Sequence, residues 1–81
     1  MDEKDILQQI QTLVEREHQL RSDAQEGEIA QSEERSQLRQ LEEALDQCWD
    51  LLRQRRARRE YGQNPDDSAA RPVEEVEKYL Q

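Results

Sequence analysis

The sequence is poor in the residues that usually stabilise a small protein. Its 81 residues include one cysteine, no phenylalanine and only 15 leucines, isoleucines and valines. A single cysteine cannot form an internal disulfide bond, which agrees with a reducing compartment. No apolar run is long enough to span a membrane, and the acidic start at residues 1–5 is unlike a signal peptide. We therefore expect a cytoplasmic protein with a thin core and no membrane association.

Basic residues are also few, with 12 against 20 acidic ones and a net charge of -8. This charge repels phosphate, so general binding to nucleic acid is not expected. High net charge with few aliphatic residues is typical of disordered chains, but here the apolar residues are concentrated on two helical faces. Ordered chains with so thin a core commonly depend on association. We expect a homodimer that also binds an unidentified protein partner.

Two apolar stripes with the spacing of a helix–helix seam lie on either side of a polar stretch around Gly27. The stripes are Ile6, Ile10, Leu13 and Leu20, and then Leu38, Leu41, Leu45, Cys48 and Leu52. This pattern predicts an all-α fold: an antiparallel, coiled-coil-like hairpin over residues 1–62, with helix 1 at about 3–25 and helix 2 at about 33–60. Leu7, Val14 and Trp49 widen the stripes, so we expect oligomerisation to complete the fold.

The ends of the two helices carry capping signals. Asp2 is placed to cap helix 1, and Gly27 is a natural C-terminal stop. Ser32 is the best N-cap for helix 2, and Gly62 and Pro65 end it. The connection between the helices is therefore short, which is typical of an antiparallel pair.

Beyond the hairpin, residues 63–70 form a predicted linker and residues 71–81 a short helix that begins at Pro72. Val73, Val76 and Leu80 share one face of that helix, and with Tyr79 they are candidate interaction residues. A helix this short does not persist alone. It should be ordered only where it docks on the hairpin or on another protein.

Three segments of the sequence indicate a family, and the second and third are specific enough that chance is a poor explanation. They are Glu-His-Gln-Leu at 17–20, Asp-Gln-Cys-Trp-Asp-Leu-Leu-Arg-Gln-Arg-Arg at 46–56, and Arg-Pro-Val-Glu-x-Val-Glu-x-Tyr-Leu-Gln from Arg71. Over essentially its whole length the chain resembles a family of small actinobacterial proteins, the domain of unknown function twenty-six thirty. The resemblance implies no activity, and it supplies no catalytic residue.

A cluster of five arginines ends the second predicted helix: Arg53, Arg55, Arg56, Arg58 and Arg59. As a functional site, the cluster would bind phosphate, RNA or an acidic partner. As a structural feature, it would stabilise the helix C-terminus and pair with the acidic first turn of helix 1. We favour the structural role, because no aromatic residues are interleaved with the arginines for stacking on bases.

Three other residues stand out at or beside the predicted seam. Trp49 is expected to be largely buried, either at an interface or against the C-terminal helix. Cys48 occupies a seam position, where a small apolar filler is more common than a redox thiol. Glu17 also occupies a seam position, where a polar residue can fix register, with Arg21 or Arg39 as its partner.

Residues for catalysis or metal binding are scarce. Metal sites in helical bundles use Glu and His from facing helices, but His18 is the only histidine and the matching motifs are missing. We expect no catalytic residue, metal or cofactor. The favoured function is a non-enzymatic helical module for protein interaction or regulation, with Trp49, the arginine cluster and the C-terminal helix as candidate contact regions. The alternative is an RNA- or ribosome-associated factor that binds phosphate through Arg53–Arg59.

Overall fold

The chain folds into helices joined by short turns. The structure, a computed structural model, describes residues 2–80 apart from the side chain of Leu80. Helix α1 spans Glu3–Gln25, α2 spans Gln31–Glu60, a single 3-10 turn spans Pro65–Asp67, and α3 spans Val73–Leu80. No strand occurs in this described part of the chain. The predicted all-α fold, a hairpin of two long helices with a short C-terminal helix, is confirmed.

The ends of the helices follow two of the predicted capping signals and depart from a third. Asp2 caps α1 by accepting a hydrogen bond from the backbone N–H of Asp5 at 2.9 Å. Gly27 has a φ of 77°, a left-handed conformation that suits glycine and ends α1. The prediction that Ser32 caps α2 is wrong: Ala30 is the N-cap, and it has no side-chain hydrogen bond to offer. The carbonyl of Ala30 already accepts from the N–H of Glu34 at 2.9 Å, so Ser32 lies within the first turn.

The seam between α1 and α2 forms the centre of the core. Ile6, Ile10, Cys48 and Leu52 are buried in one cluster, and three half-buried leucines pack around them: Leu13, Leu45 and Leu51. Ile10 and Cys48 share this cluster, as the antiparallel register requires. The core is small because each helix contributes only a narrow buried stripe.

The three helices lie side by side in a single layer. Helix α2 packs against α1 on one side and against α3 and the 3-10 turn on the other, and no packing joins α1 to α3 among the residues that the structure describes. Val76 of α3 is buried at the second contact. The described chain measures 51 × 25 × 14 Å, so it is about as thick as one helix with its side chains. Most domains bury their apolar surface between two packed layers, whereas this one leaves both broad faces uncovered.

Candidate functional site

A buried ion pair joins α2 to the segment before α3. Asp50 is only 1% exposed, and both of its carboxylate oxygens accept hydrogen bonds from Arg71. The bond from Arg71 Nε to Asp50 Oδ2 is 2.9 Å long, and Gln54 Nε2 donates to the same oxygen at 2.9 Å. The hydrogen bond from Arg71 lowers the pKa of Asp50 and keeps it charged despite its burial.

Two glutamines of α2 hold the backbone of the same segment. Gln47 Nε2 donates to the carbonyl of Arg71 at 3.1 Å, and Gln54 Nε2 donates to the carbonyl of Ala69 at 2.9 Å. Gln47, Asp50 and Gln54 are three and four residues apart, so they share one face of α2. We call these three residues and Arg71 the tail clasp. It explains much of the 46–56 motif as a docking site for the chain's own C-terminal segment.

The sequence prediction missed the tail clasp. The clasp residues are polar, and Asp50 and Arg71 are 21 positions apart in different elements, so no apolar periodicity marks them. A signal did exist, since the three polar side chains recur with helical spacing within a stretch otherwise rich in apolar and basic residues. Pairing that face with the Arg-Pro-Val-Glu segment would have required knowledge of where the tail folds.

Three of the five clustered arginines contact acidic residues of the same chain. Arg55 is buried; its Nη1 donates to Asp66 Oδ1 at 3.0 Å and to the carbonyl of Pro65 at 3.2 Å, which fixes the 3-10 turn. Arg56 and Arg59 both donate to Glu3, at 2.9 and 3.1 Å. Hydrogen bonds from these two arginines lower the pKa of Glu3. These contacts favour the structural role of the cluster.

The other two arginines, Arg53 and Arg58, make no ion pair with any described residue within 4.0 Å. Arg53 is exposed and Arg58 is half-buried. The cluster therefore does not present five free cations on one surface.

Trp49 is 42% exposed in the single chain, so the alternative of burial against the C-terminal helix is wrong, whereas burial at an interface stays a prediction. Cys48 faces α1 and Asp50 faces the tail, which leaves Trp49 between the two buried sides of α2 and directed to a broad face. Leu7 and Val14 of α1 are also exposed for large apolar residues, at 42% and 37%.

Trp49, Leu7 and Val14 lie on the same broad face of the layer. Leu7 is one helical turn after Glu3, and Arg56 is two turns after Trp49. Glu3 contacts Arg56, so the stripe of α1 that holds Glu3 and Leu7 adjoins the stripe of α2 that holds Trp49 and Arg56. Both stripes therefore lie on one side of the hairpin. Ile10, which lies between Leu7 and Val14 in sequence, shares the core cluster with Cys48. Trp49 is next to Cys48, so it lies between the levels of Leu7 and Val14 along the helices. We call Leu7, Val14 and Trp49 the apolar triad.

The predicted contact residues of the C-terminal helix have different surroundings. Val76 is buried against α2 and Val73 is half-buried, so both help to dock α3. Tyr79 is exposed. The side chain of Leu80 lies outside the described part of the structure.

The remaining candidate groups offer little chemistry. Burial raises the pKa of the Cys48 thiol, which opposes a role as a reactive thiolate. Glu17 lies 3.7 Å from Arg21, one of its two predicted partners. His18 is exposed. Within residues 2–80, side chains of the types that bind metals converge at one place, an exposed carboxylate group at the α1–α2 turn formed by Asp23, Glu26 and Glu28. No helix in that range has the length and apolar character needed to cross a membrane.

Comparison with known proteins places these features in a family context. The model of a family described as "Protein of unknown function (DUF2630)" matches residues 2–81. An uncharacterized protein of Mycobacterium bovis and two of Mycobacterium tuberculosis strains are each 48% identical over 77 residues, covering 95% of this chain and 88% of the relative. No solved structure matches. Nothing in these descriptions points to an enzymatic activity.

Proposed function

The chain belongs to the DUF2630 family, whose function is unknown, and we propose that it acts as a non-enzymatic protein-interaction module. The observation that carries the proposal is the apolar triad on an uncovered face of a single-layer fold. Leu7, Val14 and Trp49 are the exposed large apolar residues of the two long helices, and they lie together. A partner seated on this face would supply the second layer that the fold lacks.

The chemistry of the triad suits a protein partner. Tryptophan is enriched among the residues that dominate binding energy, especially near the centre of an interface and within a ring of polar contacts. Charged side chains flank Trp49 two helical turns away in both directions, at Glu42 and Arg56. This arrangement of an apolar centre with a charged rim is typical of a helical docking surface.

The same contacts make phosphate binding a weaker proposal. Arg55, Arg56 and Arg59 are already engaged by Asp66 and Glu3, and the whole chain carries a net charge of -8. An RNA-binding surface would have to draw Arg55 from Asp66 and both Arg56 and Arg59 from Glu3, or depend on Arg53 and Arg58 alone. We therefore place the interaction function on the triad and assign the contacts of the arginine cluster within the chain to the fold.

The proposal includes a cytoplasmic location and no catalytic step. Cys48 is a free, buried thiol, which agrees with a reducing compartment. The raised pKa of the Cys48 thiol disfavours it as a nucleophile.

Photo-crosslinking in the native cell tests this function. A photoreactive amino acid would replace Trp49 in one variant, Val14 in a second and the exposed Glu74 of α3 in a third, as the matched control. Protein adducts from positions 49 and 14, but not from 74, are the expected result. Equal adducts from all three positions, or adducts to RNA from position 49, would overturn the proposal.

A further inference from the structure

We propose that the partner seated on the apolar triad is a second copy of this chain, packed face to face and antiparallel. The inference rests on the proposed function, since it names the occupant of the same surface. Three properties of that surface carry it: the spacing of the triad, the order of charges along α2, and the flat shape of the molecule.

The triad is complementary to itself in an antiparallel arrangement. Leu7 and Val14 are seven residues apart in α1, and Trp49 lies between their levels on α2. The two-fold axis lies between the two layers at the level of Trp49, parallel to the broad faces and perpendicular to the helices. It places each α1 on the partner's α1. Leu7 then faces the partner's Val14, and Trp49 faces the partner's Trp49. Such an isologous contact closes after two copies.

The charges along α2 fix the direction of packing. Glu42 lies seven residues before Trp49 and Arg56 lies seven residues after it, so all three share one stripe of the helix. Arg53 adds a second positive charge on the side of Arg56. In the antiparallel dimer, Arg56 faces the partner's Glu42, and this contact occurs twice. In a parallel two-fold dimer α2 would lie on the partner's α1 instead, and both Arg56–Glu42 contacts would be lost.

The residues that form these cross-contacts are accessible. Glu42 is exposed, and the side chain of Arg56 is 59% exposed although it already contacts Glu3. Arg59 also donates to Glu3, so Arg56 can lean toward a partner without leaving Glu3 unpaired.

The flat shape supplies enough area for this packing. The broad face extends over 51 by 25 Å, which leaves room for an interface of the standard size, roughly 800 Å² per partner. Stacking two layers would bury the flanks of the seam, which a lone hairpin leaves wet. The opposite face is a poorer candidate, because the exposed large apolar residues of α1 and α2 all belong to the triad, and its grooves hold polar residues such as Arg16, Gln40 and Gln47 beside half-buried leucines.

A charge-swap experiment tests both the partner and its direction. The unmodified chain, Glu42→Arg, Arg56→Glu and an equal mixture of the two variants would be compared by sedimentation equilibrium, from low micromolar to several hundred micromolar. Each variant alone places like charges together twice, so its dimer dissociation constant should rise about tenfold or more. In the mixture both contacts are attractive again, and a heterodimer of near-original affinity should form. Glu74→Arg, a reversal on exposed α3, should leave association unchanged.

Cysteine crosslinking provides a second measurement that is insensitive to charge effects on folding. With Cys48 replaced by serine, a Leu7→Cys chain mixed with a Val14→Cys chain should form disulfide-linked dimers faster than either chain alone. Faster linking of Leu7→Cys to itself would be incompatible with the contact between Leu7 and the partner's Val14, and it would overturn the inference. A monomeric unmodified chain at several hundred micromolar would also overturn it. In that case, adducts from position 49 to another protein would leave the proposed function standing, whereas absence of all adducts would remove both.

Discussion

Asp50 and Arg71 form a two-pronged ion pair that fastens the C-terminal segment to the middle of α2. Asp50 is almost completely buried, whereas the Arg71 side chain keeps 35% of its surface exposed. Burying a carboxylate is costly unless an opposite charge pairs with it. Asp50 can therefore be buried only while the tail holds Arg71 beside it.

The first prediction concerns this pair. Asp50→Asn removes the negative charge and one of the strong hydrogen bonds, and it should lower the free energy of unfolding by on the order of 2 kcal/mol. Urea unfolding would measure the loss, and hydrogen exchange should show faster opening in α3 than in α1. Asp67→Asn, at an exposed position of the 3-10 turn, is the matched control and should change stability little. Equal losses from the two substitutions would contradict the clasp.

The second prediction concerns pH. Glu77 Oε1 is buried without a hydrogen-bond partner. A hydrogen bond that protonated Glu77 would share with Asp46, and then burial, raise the pKa of Glu77 above its ordinary 4.5. The folded state therefore favours the proton, and this stabilisation is full below the ordinary pKa and lost as pH rises through the raised value. Glu77→Gln stays neutral at every pH. It should raise the melting temperature at pH 7 and make little difference near pH 4.

The pKa of Asp50 produces the opposite slope and serves as the internal comparison. Its pKa is lowered from 3.8, so its contribution is present above that value and is lost as pH falls through the lower folded value. In Asp50→Asn, acid unfolding should become less steep below about pH 4.

For the Glu77 prediction, a Glu77→Gln variant with no gain in melting temperature at pH 7 would show that Glu77 turns away from Asp46 in solution.

The third prediction separates the arginines by their contacts. Arg55→Gln breaks the link to Asp66 and Pro65, and it should loosen residues 61–70 enough to admit a protease under native conditions. The Arg53 side chain makes no such contact, so Arg53→Gln should leave the rate of digestion unchanged. Neither the unmodified chain nor these variants should retain RNA near physiological salt. Salt-dependent retention that disappears in Arg53→Gln would return the function to phosphate binding.

The fourth prediction concerns the seam. Glu17 is half-buried at an apolar position and pairs with the more exposed Arg21 at 3.7 Å. Replacing it with leucine extends the apolar stripe, so Glu17→Leu should raise the melting temperature while making the oligomeric state less uniform. A lower melting temperature would show that the Glu17–Arg21 pair contributes more than the added apolar contact.

The hairpin could be predicted from the sequence because its signals are local. Ile6 and Ile10 recur with the helical period, and Asp2 and Gly27 mark the ends of α1 by well-understood capping chemistry. The surroundings of Trp49 could not be predicted in this way. A position beside a seam becomes buried only if a third element covers it, and α3 packs on the other side of α2. The tail clasp also depends on where a distant segment packs. Its residues are polar, so no apolar periodicity predicts that Arg71 lies beside Asp50.

The single-layer arrangement has a consequence for how the chain opens. Since α1 and α3 each contact α2 and not one another, the tail can detach without disturbing the cluster around Ile6 and Leu52. The protein should therefore comprise two cooperative units, a hairpin that resists opening and a C-terminal unit that opens at a lower free energy. Opening of the C-terminal unit would expose Asp50 to solvent while the hairpin stays folded.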